Sequence, residues 1–285
     1  MTKYFESAMK GMFFLSATSS IVFVLLICIF LFMNGLPVMV ELGFLEFIFG
    51  TIWAPLNVPA AFGIFTMIVT SIATTIGAVI LGVPLGIFTA VFMARMCPKR
   101  FYSFLKPSLN LMAGIPSVVY GFFGMVVLVP IIRGIFGGQG FSVLTASVLL
   151  GIMILPTIIG VSEAAIRSVP SSYYEGALAL GASHIHSIFS VVVPAARSGI
   201  IASIVLGIGR AIGETMAVVM VAGNQVRIPN SPLQGARSLT ANIVLEMAYA
   251  AGTHRDALVA TALVLFLMIL MLNLTLSLTM RRKRG

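Results

Sequence analysis

Arg210 and Glu214 stand four residues apart in the run Arg210-Ala211-Ile212-Gly213-Glu214, inside an apolar stretch covering residues 195–222. A guanidinium is a permanently charged planar fork that matches the geometry of an oxyanion. In a helix starting near Ala196, a rise of about 1.5 Å per residue puts Arg210 roughly 20 Å in, near the middle of a bilayer. A charge at that depth costs roughly 2.5–3.5 kcal/mol, so such a residue faces a bundle interior or an aqueous cavity and has a partner. Two accounts fit. On one continuous helix the two side chains share a face and form a self-satisfied ion pair. Alternatively Arg210 attracts an anion, and Glu214 moderates its hold by pairing with Arg210, with another subunit or with a protonated oxygen of the ligand. A buried pair often contributes little net stability, so an anion pathway is the expectation.

The second stretch with recognisable chemistry is residues 175–194, EGALALGASHIHSIFSVVVP, less apolar than the runs on either side of it. Ser172 precedes Glu175 by three residues, the spacing of a reciprocal helix cap. Pro170 closes off the element before it. Gly181 falls where a left-handed residue would end the first helix, and Ser183 can cap a second one running to about Ser190. Two short helices with a bend are expected. His184 and His186 diverge by about 200 degrees on a helix and make a poor metal site; contact with a partner or solvent is expected of them.

Other chemistry is thin. No Walker-type Gly-Lys-Ser/Thr loop occurs, so the chain is not expected to hydrolyse nucleotide, and no nucleophile-base set or metal cluster stands in the apolar runs. Cys28 and Cys97 lack metal or redox spacing and read as small apolar fillers. The 17 methionines are scattered and read as packing.

The elements that must position these residues are membrane helices. The chain has 285 residues, 59% hydrophobic and 9% charged, with a mean hydropathy of +1.11. That composition excludes an ordinary soluble domain. Apolar runs at 11–33, 62–93, 108–132, 142–162, 195–222 and 257–280 predict six spans in an all-α polytopic protein. The first is long enough to stay as an anchor. The net charge of +9 sits in short flanks of these runs, a mark of membrane orientation rather than nucleic-acid binding. Lys3, Lys10, Arg95, Lys99, Arg100, Lys106 and the residues 281–284 all fall on one side, which places both termini and the 175–194 loop in the cytoplasm. Outside, residues 34–61 carry a short apolar run at 44–53, predicted to be an interfacial helix with Trp53 at a headgroup boundary or packed on the protein. The second external segment, 223–256, predicts a helix over about 238–250. Its Arg227, Arg237 and Arg255 are read as solvated charges or as contacts for an anionic or acidic partner. Of Gly77, Gly82, Gly86, Gly114, Gly121 and Gly124, most are read as packing positions, with local unwinding near Pro116 as the alternative. The chain thus divides into a first span with its external segment, 1–61, and a core, 62–285.

Glu175, Gly176, Ala177, Gly181, Val191, Val193 and Pro194 resemble the signature loop of ABC-transporter permease subunits, with Gly in place of the first Ala and Val in place of the usual Ile and Leu. The runs GIPSVVYGFFG at 114–124 and GIGRAIGETMAVVMVAGN at 207–224 sharpen the likeness, which is to the PstC-type permease subunits of phosphate-specific ABC transporters. The resemblance implies a type I importer permease fold and ATP-driven import of phosphate across the bacterial inner membrane. It implies coupling of the 171–194 loop to two PstB-type ATPase subunits, which would bind ATP and magnesium in place of any cofactor of this chain. It also implies a homologous PstA-type second permease, a PstS-type external phosphate-binding protein, and a role for Arg210 and Glu214 in phosphate passage. Sulfate or molybdate as cargo, or a secondary anion transporter independent of an ATPase, are the alternatives.

Overall fold

The computed structural model describes residues 2–282; Lys283 and Arg284, part of the charge argument, lie outside the described residues. α1 (Thr2–Glu41) runs unbroken past the expected end at residue 33, roughly 60 Å of helix. The apolar linker forms only a short helix, α2 (Phe44–Phe49). A two-residue antiparallel ladder, β1 (Trp53–Ala54) on β2 (Ala61–Phe62), closes the loop that follows, with Trp53 opposite Phe62. α3 (Phe65–Val91) ends in a wider π-helical turn, Phe92–Met96.

The third predicted span, 108–132, is displaced. α4 (Lys99–Gly114) is a separate amphipathic helix. The chain is then extended at Ile115 and Pro116 before α5 (Ser117–Phe123), which continues through a π-helical turn into α6 (Val129–Phe136). Proline lacks an N–H and drives the residue before it out of the helical region, so the unwinding weighed for Pro116 occurs and the membrane-length helix is Ser117–Phe136. The Tyr120 hydroxyl clips the break by donating to the Met112 carbonyl at 2.9 Å.

α7 (Val143–Arg167) follows, then the loop helices α8 (Ser171–Ala179) and α9 (His184–Ser187), a π-helical turn Ile188–Val192, and α10 (Val193–Ala195). The predicted fifth span is also broken: α11 (Arg197–Gly213) stops at Glu214 and α12 (Met216–Val221) restarts after Thr215. α13 (Leu239–Glu246) and α14 (Thr253–Arg282) complete the chain. Among the described residues, five helices are long and apolar enough to cross a membrane; counted as one span, the bent pair His184–Ala195 and Arg197–Gly213, angled at 69°, brings the number to six.

α7 is the centre, with 67% of its most apolar window buried. α3 lies against it at backbone contact: a Cβ on Gly82 would come within 2.8 Å of Ile154 and 2.9 Å of the Gly151 carbonyl. A Cβ on Gly77, Gly86, Gly121 or Gly124 would likewise meet a neighbour closer than 3 Å, so packing is what these glycines do, while Gly114 faces open space. α11 covers the other side of α7, where the Ser162 and Ser203 hydroxyls meet at 2.6 Å. α1 touches the rest mainly through α14, its Gly35 lying against Ala260 and Leu263, and leaves long rows of Phe, Leu, Ile and Val exposed.

At the end opposite the loop helices, Trp53 is buried rather than set at a headgroup boundary. Its indole N–H donates to Glu246 Oε2 at 2.8 Å, because a buried indole requires an acceptor. Glu246 also receives Arg237 and His254. Arg237 is thus an internal partner, not the solvated charge expected of it, while Arg255 is exposed and Arg227 donates to the Gly235 carbonyl at 3.3 Å. The α13 helix is shorter than the expected 238–250, and it starts on the Ser238 cap, which accepts from Ala241 N–H at 3.2 Å.

Candidate functional site

Arg210 occupies the last turn of α11 and is half-buried. Its Nη1 donates to Thr157 Oγ1 on α7 at 3.3 Å. Among the described residues no carboxylate lies within ion-pair distance of it. The ion pair with Glu214, the alternative to an anion pathway, does not form, and the reason is local. Residues four apart share a face only while the helix continues, but the helix ends at Gly213 and Glu214 is extended, with φ −69° and ψ 135°. Glu214 turns instead to α12, where its Oε1 accepts from Ala217 N–H at 3.3 Å, and its carbonyl accepts from Thr240 Oγ1 on α13 at 3.0 Å. A guanidinium is left at a helix break with only a neutral hydroxyl to hold it.

Three elements converge there, two of them next to breaks in the backbone. α7 carries Pro156 next to Thr157, α11 gives way to α12, and α5 brings Tyr120 within electrostatic reach of Arg210. α5 reaches this place because Gly121 and Gly124 let it sit on α12: a Cβ on Gly121 would meet Met220 Sδ at 2.7 Å, and one on Gly124 would meet Val221 at 2.8 Å. Broken helices at membrane depth persist where they are enclosed by protein or line a water-filled cavity.

The loop helices lie far along the chain from this charge but share α7 with it. Gly181 is left-handed at φ +86°, with Ala182 N–H bonded to the Ala177 carbonyl at 3.1 Å and Gly181 N–H to Leu178 at 2.9 Å. That is the glycine-terminated helix end expected here. Ser183 caps α9 as expected, accepting from His186 N–H at 3.3 Å. The reciprocal Ser172–Glu175 cap does not form: α8 begins at Ser171, directly after Pro170, so both residues lie inside the helix. Glu175, Gly176 and Pro194 are exposed and Ala177 is buried. Around them Tyr173, Leu180, Ile185 and Phe189 expose apolar surface. His184 pairs with Tyr174 and His186 with Ser190, and among the described residues no cluster fit to hold a metal occurs.

Sequence reasoning passed over the cluster that fastens these parts. Glu163 is 1% exposed and receives Lys106 Nζ at 2.6 Å, Arg167 Nε at 2.7 Å and the Tyr102 hydroxyl at 2.8 Å. Arg167 also lies 4.5 Å over the Tyr102 ring and reaches the Met93 carbonyl at 2.9 Å. The Tyr102 phenol is held above the ordinary tyrosine value, first by the bond it donates to Glu163. The available signal was an acid in an apolar run with an arginine one turn later. α7 thus joins α3 and α4 at one end of a rod whose middle carries Thr157, about 15 Å from Arg167 along the helix.

The sequence model of the family described as "Binding-protein-dependent transport system inner membrane component" matches residues 82–282. The chain is 38% identical over 226 residues to a probable ABC transporter permease protein YqgH of Bacillus subtilis, covering 78% of this chain and 73% of that one. To the phosphate transport system permease protein PstC of Mesorhizobium japonicum it is 34% identical over 197 residues, covering 62% and 60%. To PstC of Haemophilus influenzae it is 33% identical over 196 residues, covering 62% of each. The chain spans about three fifths of the length of these PstC relatives. Among solved structures, an inward-facing MetNI methionine ABC transporter superposes with TM-score 0.60 at 18% identity, covering 76% of this chain and 94% of that one. An amino acid ABC transporter does so with TM-score 0.56 at 20% identity, covering 77% and 92%. These two likenesses establish the fold.

Proposed function

The chain belongs to the binding-protein-dependent transport system inner membrane component family, and within it we propose that this is the permease subunit of an ATP-driven importer of inorganic phosphate in the bacterial inner membrane. The observation that carries the cargo is Arg210, half-buried at the α11 break without a carboxylate partner. At about 4 Å and an effective dielectric of 20, a guanidinium and an anion attract by about 4 kcal/mol, comparable with the roughly 2.5–3.5 kcal/mol that an arginine costs at bilayer mid-depth. An oxyanion is then the natural partner, and the likeness to PstC proteins supports phosphate among oxyanions.

An external phosphate-binding protein of PstS type would deliver the anion. A PstA-type second permease would complete the pathway, and two PstB-type ATPase subunits would bind ATP and magnesium and drive alternation between outward and inward states. Glu175, Gly176, Ala177, Gly181 and Pro194 belong to the surface on which an ATPase docks, supported by the bend at Gly181 and the exposed Tyr173, Leu180 and Ile185. Glu214, with one oxygen on Ala217 N–H, keeps the pathway from holding the anion too tightly to release it.

The test is uptake of labelled phosphate by cells lacking this chain, complemented with wild type or Arg210→Gln, with excess sulfate and molybdate as competitors. Wild type is expected to restore uptake that the competitors barely reduce, and Arg210→Gln to abolish it while the complex still assembles. Uptake retained by Arg210→Gln removes this residue from the pathway. Strong competition by sulfate or molybdate moves the cargo to another oxyanion.

A further inference from the structure

Thr157 behaves unlike five buried hydroxyls of its own and the neighbouring helices, although not unlike all of them: among the described residues the Thr66 hydroxyl on α3 is also left without a partner. Thr70, Thr74 and Thr75 on α3, Ser147 on α7 and Thr261 on α14 each donate their proton to the backbone carbonyl one turn earlier, at 2.7–2.8 Å. That bond satisfies the hydroxyl and removes it from chemistry. Thr157 instead accepts from Arg210 at 3.3 Å, and among the described residues its own proton has no acceptor. It is half-buried, like Arg210. The preceding residue, Pro156, has no N–H to give the Ile152 carbonyl, although α7 runs on through it as helix.

We propose that Thr157 is a pathway residue: it holds the Arg210 guanidinium against α7 and presents its hydroxyl proton to the same anion. This rests on Arg210 serving the anion, as argued above. A hydroxyl carries one donor and two acceptor lone pairs. Accepting from Arg210 leaves the hydroxyl proton free to donate, and the second lone pair can accept a hydrogen bond from the hydroxyl of a protonated phosphate. Guanidinium and hydroxyl are close enough to touch neighbouring oxygens of one tetrahedral ion. Thr157 therefore acts as both a positioning residue for Arg210 and a specificity residue for the cargo.

The test compares Thr157→Val, which keeps the branched shape and loses the hydroxyl, with Thr157→Ser, which keeps the hydroxyl and loses a methyl. Initial uptake of labelled phosphate is measured in complemented cells and normalised to assembled complex in the membrane, with Arg210→Gln in parallel. Thr157→Val is expected to lower the maximal rate about tenfold, the worth of a hydrogen bond to a charged group. The half-saturating phosphate concentration should stay that of the external binding protein, and Thr157→Ser should keep most of the wild-type rate. The opposite order, valine near wild type and serine impaired, identifies a packing position and overturns the proposal. Normal uptake by Thr157→Val beside a dead Arg210→Gln removes Thr157 alone, whereas normal uptake by both removes Arg210 as well. Should Thr157→Val not accumulate, Thr157→Ala against Thr157→Ser decides: alanine far below serine supports the role, and alanine equal to serine overturns it.

Discussion

Replacing Gly181 separates backbone conformation from bulk at the bend between α8 and α9. The residue sits at φ +86°, and a Cβ built there would meet nothing within 4 Å. No clash inside the chain therefore accompanies a substitution, and the cost is conformational. It is roughly 1–2 kcal/mol for an ordinary side chain in the left-handed region, less for asparagine, which visits that region through local hydrogen bonds, and more for a β-branched residue. Two bonds depend on the conformation, Ala182 N–H to Ala177 at 3.1 Å and Gly181 N–H to Leu178 at 2.9 Å. At 1.4 kcal/mol per tenfold, the bent arrangement loses about five- to thirtyfold in relative population on going from glycine to alanine. The assay is retention of ATPase subunits on purification through a tagged permease, paired with the initial rate of phosphate uptake. The expected order is Gly, Asn, Ala, Val, from best to worst. An order that follows size alone, with alanine ahead of asparagine, would show that the left-handed backbone is not what shapes the docking surface, and a wild-type valine variant would show that the bend is dispensable.

Glu163→Gln should lower the thermal midpoint of the detergent-solubilised protein by several degrees. It strips the anionic partner from Lys106 and Arg167, whose side chains are 35% and 45% exposed. Solvent access discounts the roughly 3–5 kcal/mol of a fully buried pair to about 2 kcal/mol, and a midpoint unchanged in a melting scan would show that the cluster is ornamental to stability. Gly82→Ala should be destabilising by roughly 1–3 kcal/mol, since its Cβ would press on Ile154 and the Gly151 carbonyl. Gly160→Ala, in the same pair of helices but facing open space, should be neutral or stabilising by up to about 1 kcal/mol. Equal melting behaviour of the two alanine variants would contradict the close approach of α3 and α7.

The local features were legible in the sequence because local chemistry creates them. Apolar runs make membrane-length helices in five of six places, one of them displaced, while the run 195–222 is broken. A glycine and a serine bend α8 into α9 through hydrogen bonds that span only a few residues. Arg210 advertised itself because a charge inside an apolar run is costly in any arrangement. The breaks at Pro116 and Glu214 were only partly legible: proline names a place where a helix can open, while nothing between Gly213 and Thr215 forbids a continuous helix outright. What holds the break is in part local, the Glu214 carboxylate on the Ala217 N–H three residues on, and in part the tertiary structure, where its carbonyl meets Thr240 across 26 residues. Partner choice was decided there too. Arg210 meets Thr157 across 53 residues, Glu163 meets Tyr102 across 61, and Trp53 meets Glu246 across 193. Periodicity states which residues lie on a face, but only the packing of whole helices, set by glycine contacts such as Gly82 on Gly151 and Gly121 on Ala217, states which face of which helix they meet.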